Sequence, residues 1–153
     1  MTQATETNVI EKEIVLRAPR SRVWSAIADA EKFGQWFGMK FDGAFTSGQE
    51  MSGKFTNPKY AHITLYMTIV DIEPETLFSY RWHPGALDTT VDYSKEATTL
   101  IEFRLSDADG GTKLTVVESG FDELPEWRRA EAFKMNSGGW TSQVENIRKY
   151  VES

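Results

Sequence analysis

An acidic side chain on an apolar face is the first residue of this sequence that could do chemistry. Leu114, Val116 and Glu118 alternate at strand period, so Glu118 points to the same side as two core residues. A carboxylate turned toward an apolar interior must find a partner or take up a proton. Glu118 is therefore a candidate ligand contact or general acid. The competing expectation is a carboxylate at the strand's end, in water, or flipped outward by a bulge. The histidines are His62 and His83. His83 stands in Trp82-His83-Pro84, where a strand meets a long polar connection, a usual place for a pocket rim. No HxxxH or HxE spacing accompanies either histidine, so no metal is expected. Asp92, Tyr93 and Ser94 on the same connection offer polar groups to a lid, or form a solvated turn.

Small residues form the second feature. Ser137-Gly138-Gly139 falls inside a helical segment, where each glycine costs about 1 kcal/mol relative to alanine. Flanked by Phe133 and Trp140, the three read as a cavity wall; the alternative is close helix–sheet packing. Inward aromatics supply the rest of such a wall. Trp36, Phe37, Phe41, Met67, Tyr80, Trp82, Phe103, Phe133 and Trp140 are expected around a cavity of about 300–1,000 Å³. With His83, Glu118 and Ser137 they form the expected ligand-binding set, and no residue is assigned as catalytic. The other reading of the aromatics, 12% of the chain with five tryptophans, is that all of them are core.

Composition removes several functions. The chain has no cysteine, which excludes thiolate chemistry, iron–sulfur clusters and cysteine-bearing zinc sites. There is no GxGxxG, GxxxxGK[ST] or GxSxG signature, so dinucleotide, nucleoside triphosphate and hydrolase readings have no motif behind them. The net charge is −6, with lysine and arginine scattered, and no basic stripe is available for phosphates. No apolar run approaches the roughly 20 residues of a membrane span, and the first eight residues lack the pattern of a secretory signal. The expectations are no nucleic acid, no membrane insertion, no cofactor and a cytoplasmic location.

The elements that position these residues are readable from period. The 153 residues read as one domain, 1–153, with residues 1–7 expected to be disordered. Val9–Leu16 reads as a strand stopped by Ala18-Pro19. Two short helices follow, Arg20–Ala28 and about Ala30–Phe37, the second ending at Gly38. From Phe41 to Phe121 the period is 2, broken by the polar connection Pro84–Ala97, too long for an ordinary hairpin. A closing helix over about Pro125–Ser153 carries Ala130, Phe133, Ser137, Trp140, Val144, Ile147 and Val151 as its inward stripe.

A strand, two helices, six strands and a long closing helix resemble the START-like helix-grip fold of the SRPBCC superfamily. The fold class is α+β: a curved seven-stranded antiparallel sheet around the C-terminal helix, with two short helices after the first strand. Arg22–Phe37, Gly110–Phe121 and Gly139–Tyr150 look like the AHSA1 family, named for the activator of Hsp90 ATPase, and the resemblance covers about residues 8–152. The run Arg81–Pro84, Val91–Ser94 and Thr99–Phe103 is similar to a bacterial subgroup labelled vanillate demethylase oxidoreductase-like. A reductase of that type needs cysteines and a dinucleotide fingerprint, which this sequence lacks.

The resemblance implies binding of an apolar or aromatic small molecule, lipid-like or polyketide-like, between sheet and closing helix, by a monomer or homodimer. A second reading is an enzyme (cyclase, hydrolase or isomerase type) on the same cavity, with Glu118, His83 or Tyr93 as acid–base groups. A third is an Hsp90-associated or stress-response interaction protein. The eukaryotic co-chaperone is similar only in its C-terminal domain and engages the chaperone through a separate N-terminal one. Stimulation of Hsp90 by this chain alone is therefore not expected.

Overall fold

A computed structural model of the chain describes residues 8–86, 88 and 90–153. The expectation for residues 1–7 lies outside them. Strand β1 (Val9–Leu16) leads into helices α1 (Arg20–Ala28) and α2 (Ala30–Phe37). Strands β2 (Met39–Phe41), β3 (Glu50–Phe55), β4 (Thr64–Glu73), β5 (Leu77–Trp82), β6 (Thr99–Ala108) and β7 (Gly111–Ser119) follow, then helix α3 (Glu126–Glu152). The strands form one sheet in the order β1-β7-β6-β5-β4-β3-β2, with every pair antiparallel. This is the expected helix-grip arrangement. Within the stretch of period 2, a 3₁₀ turn at Pro58–Tyr60 delays the start of β4 to Thr64.

Local chemistry sets the punctuation. Asp29 caps α2 by accepting from the backbone N–H groups of Glu31 and Lys32, and Gly38 ends it at φ 91°, left-handed backbone that glycine adopts without a Cβ penalty. The Trp36 indole donates to the Ala26 carbonyl at 2.8 Å, locking α2 onto α1. A register shift between β4 and β5 at Ile69/Ile72 bends the sheet around α3.

The interior is filled by rings. Phe33 is surrounded by Trp36, Phe37, Phe41, Phe45, Phe78, Tyr80 and Phe103, with centroids 4.5–6.4 Å away. These are the separations of mutually packed aromatics. Phe33, Phe78, Tyr80 and Phe103 are fully buried. Most of the aromatics expected to wall a large cavity therefore pack against one another.

Helix α2 reaches this cluster through Gly34. A methyl group added there would lie 2.1 Å from the Met39 carbonyl oxygen, a backbone atom with no freedom to retreat. We expect Gly34→Ala to lever α2 off β2 and cost about 1–3 kcal/mol, as overpacking does. An unchanged thermal midpoint would show that this contact yields.

The inward stripe of α3 departs from expectation in its first half. Arg128 and Ala132 are buried and Asn136 faces the interior ahead of Trp140, whereas Ala130 is exposed and Phe133 and Ser137 are half-buried on the flank. A pattern built from apolar residues skips Arg128 and Asn136, which enter the interior because partners meet them there.

Candidate functional site

Glu118 is 0% exposed. Alternation along β7 turns Thr112, Leu114, Val116 and Glu118 inward, and Glu118 pairs across with Ile101 of β6 and Ile10 of β1. Neither a strand-end position in water nor an outward flip occurs. Its Oε1 accepts from the Trp140 indole N–H at 2.8 Å and Asn136 Nδ2 at 3.0 Å. Its Oε2 accepts from the Trp82 indole at 2.9 Å, the Thr99 hydroxyl at 2.5 Å and Asn136 Nδ2 at 3.1 Å. Four neutral donors converge on two oxygens, the acceptor-only pattern of a carboxylate.

Three elements deliver those donors. Trp82 ends β5 and stands opposite Thr99 at the start of β6, while Asn136 and Trp140 are one turn apart on α3. The Trp82 and Trp140 rings stack at 5.9 Å with planes 26° apart. Both indole edges thus turn to Glu118, and only a small part of each ring stays exposed, 8% of Trp82 and 3% of Trp140. Tyr80, next in the row, has a buried hydroxyl with no partner among the described residues. Burial, and then the Glu118 charge, push it well above the ordinary phenol range, so it stays protonated at neutral pH.

The ring surface borders a pocket of about 200 Å³ between α3 and the sheet end, open to solvent. Phe37, Phe55, Leu65, Met135, Trp82 and Trp140 give it apolar walls; His83, Asn136 and Gln143 are its polar members. Gln143 also donates to the Phe37 carbonyl at 3.3 Å, tying α3 to the end of α2. This volume is below the expected range, because the Phe33 ring cluster fills the space behind it. A groove of about 480 Å³ lies beside it, sharing Leu65, His83 and Ala86 and bounded by residues 91–94. A third, of about 790 Å³, runs outside the grip between α2 and the β2–β3 connection.

Of the twelve expected ligand residues, Phe37, Trp82, His83 and Trp140 line the 200 Å³ pocket. Glu118 stands directly behind its wall, hydrogen-bonded to three lining residues. Trp36, Met67, Tyr80 and Phe103 are buried core. Phe41 borders the outer groove, and Phe133 packs on Phe121 with centroids 5.2 Å apart. Ser137 does not line the pocket; Gly139 does. Methyl groups added at Gly138 or Gly139 would meet no atom within 4 Å, so close helix–sheet packing does not explain these glycines. Thr99 and Asn136 were missed. Asn136 lies one turn before Trp140 on the same side of α3, a position that a stripe of apolar residues passes over.

The connection after β5 is fastened to α3 by Arg128, which is 5% exposed. Its guanidinium donates to the Pro84 carbonyl at 2.8 Å and to Glu96 at 2.7 Å, and lies 4.9 Å over the Tyr93 ring. Among the described residues, no group of three or more histidine and carboxylate side chains could hold a metal ion. Among the described residues, no helix is long and apolar enough to cross a membrane.

The family model of Activator of Hsp90 ATPase homolog 1-like protein matches residues 17–152. No curated protein matches the chain in sequence. Among solved structures, protein MLL2253 from Mesorhizobium loti is similar at a TM-score of 0.74 and 19% identity, over 94% of this chain and 96% of that one. Protein BH1534 from Bacillus halodurans aligns at 0.68 and 25% identity, with the same coverage, 94% and 96%. The Aha1 dimer from Colwellia psychrerythraea aligns at 0.71 and 14% identity, again over 94% and 96%.

Proposed function

The chain belongs to the activator of Hsp90 ATPase homologue 1-like family, and from that premise we propose that it binds a small, largely apolar or aromatic molecule in the pocket beside Trp82 and Trp140. The observation that carries this reading is an open, mostly apolar recess of about 200 Å³ whose rear wall is a stacked indole pair. Its size suits a single ring with short substituents, or one end of a longer molecule extending past His83 into the adjoining groove. Binding is favoured over turnover because Glu118, the strongest acid–base candidate, is occupied by four donors behind the wall. The dimer of the Colwellia protein makes self-association a companion proposal, tested by sedimentation.

Gly139 provides the experiment. A side chain there enters open space at the pocket, and replacing a mid-helix glycine recovers about 1 kcal/mol of helix propensity. In Gly139→Leu we expect single-ring probes to lose saturable binding, followed by tryptophan emission, while the thermal midpoint holds or rises by a few degrees. Unchanged probe binding in a folded G139L variant would remove the proposal.

A further inference from the structure

We propose that the ligand of this pocket is a small organic cation, an aromatic or alkyl ammonium, selected by the buried charge of Glu118 acting through the indole pair. This rests on the binding reading above and deepens it.

Buried charges in proteins are normally paired with a charge of opposite sign or a metal. Glu118 forms no ion pair among the described residues, and its partners are two indoles, a hydroxyl and an amide. The buried guanidinium on the same helix, Arg128, is committed to Glu96 and the Pro84 carbonyl. One negative charge therefore lies behind the pocket wall without a cation opposite it. Meanwhile, among the described residues, no lysine, arginine, aspartate or glutamate lines the pocket, and His83 is its one titratable member. The nearest guanidinium, Arg128, lies 3.5 Å from the Cβ position of Gly85 in the lining, and its charge is balanced there by Glu96.

The wall itself favours a cation. Indole faces carry the negative part of the ring quadrupole and are the best aromatic partners for ammonium groups. Donating both N–H edges to a carboxylate pushes electron density toward those faces, and Phe37 and Phe55 add two further rings to the lining. Asn136 links the two layers, since it borders the pocket and donates to both Glu118 oxygens. Because Glu118 does not line the pocket, attraction would act through space rather than by a direct hydrogen bond. Shape and charge are then separable, which the test exploits.

Phenyltrimethylammonium and tert-butylbenzene have nearly the same shape and differ in one charge. Titrated into wild-type protein and followed by tryptophan emission and calorimetry, the cation should bind at least tenfold more tightly, with benzoate weaker than either. Equal or tighter binding of tert-butylbenzene overturns the cation assignment and leaves the pocket reading standing. No saturable binding by any of the three, or binding that survives Gly139→Leu, overturns both. In Glu118→Gln the cation-to-neutral ratio should collapse to within about twofold; an unchanged ratio in the folded variant removes Glu118 as the selector. Should that variant not fold, the wild-type ratio decides.

Discussion

Glu118→Ala is expected to be the most damaging single substitution in the described chain, costing about 4–6 kcal/mol. The change removes one acceptor group and strands four donors: the Trp82 and Trp140 indoles, the Thr99 hydroxyl and the Asn136 amide. Each buried polar group left unsatisfied costs about 1–3 kcal/mol. Relaxation will spare some of them, because Asn136 borders the pocket and can turn to water. The buried carboxylate's own desolvation cost disappears with it, which offsets part of the loss. The two indoles have no such escape, being stacked and at most 8% exposed. At about 2–4 °C per kcal/mol for a chain of this size, the midpoint should fall by roughly 10–20 °C. Glu118→Gln should fall by about half as much. It keeps one oxygen for Trp82 and Thr99 but sets an amide N–H against Trp140 and Asn136. A calorimetric scan of the three proteins checks the order. If the alanine variant melts within a few degrees of wild type, the donors are reached by water in solution and the network is not a structural anchor.

That network also marks where the sequence stopped being legible. The fold was readable because its signals are local. Alternation from Phe41 to Phe121 and helical period on either side need only neighbouring residues, and each becomes a strand or helix. The inward aim of Glu118 came from the same local rule. Its partners lie 18 to 36 residues away on two other strand ends and a helix, and nothing in the sequence of β7 points to them. Trp82 and Trp140 could be guessed as inward aromatics, while Thr99 and Asn136 could not, because a stripe drawn from apolar residues passes over them. The same bias placed Ala130 inward and overlooked Arg128. Cavity size failed for another reason. Whether rings line a space or fill it depends on how Phe33 meets seven others drawn from three strands, its own helix and a connecting segment, and composition is the same in either case. Only at the sheet end, where Gly139 withholds a side chain, does open space survive beside the indoles.

The Arg128 clasp carries the second large expectation. Arg128→Ala strands two acceptors at once: Glu96, whose side chain is 12% exposed, loses its cation, and the Pro84 carbonyl loses its donor. Breaking such a pair from one side typically costs about 3–5 kcal/mol, because the remaining charge stays desolvated. Here Glu96 sits on a connection rather than inside an element, so part of that cost can be relieved by the segment lifting until the carboxylate reaches water. We therefore expect a midpoint lower by roughly 6–12 °C, with amide exchange and proteolytic cleavage accelerated at residues 90–97 ahead of the sheet. Removing the orphaned charge as well should recover stability: the Arg128→Ala, Glu96→Ala double variant should melt above Arg128→Ala alone, giving a coupling of about 1–3 kcal/mol in a double-mutant cycle. Additive losses with exchange unchanged at residues 90–97 would show that Arg128 is a packed bystander. With coupling and local release together, the segment that walls the adjoining groove is held by a single side chain of α3, about three turns before Trp140 at the pocket. Lifting it should then raise the off-rate of any probe reaching past His83 while leaving binding against the indole pair intact.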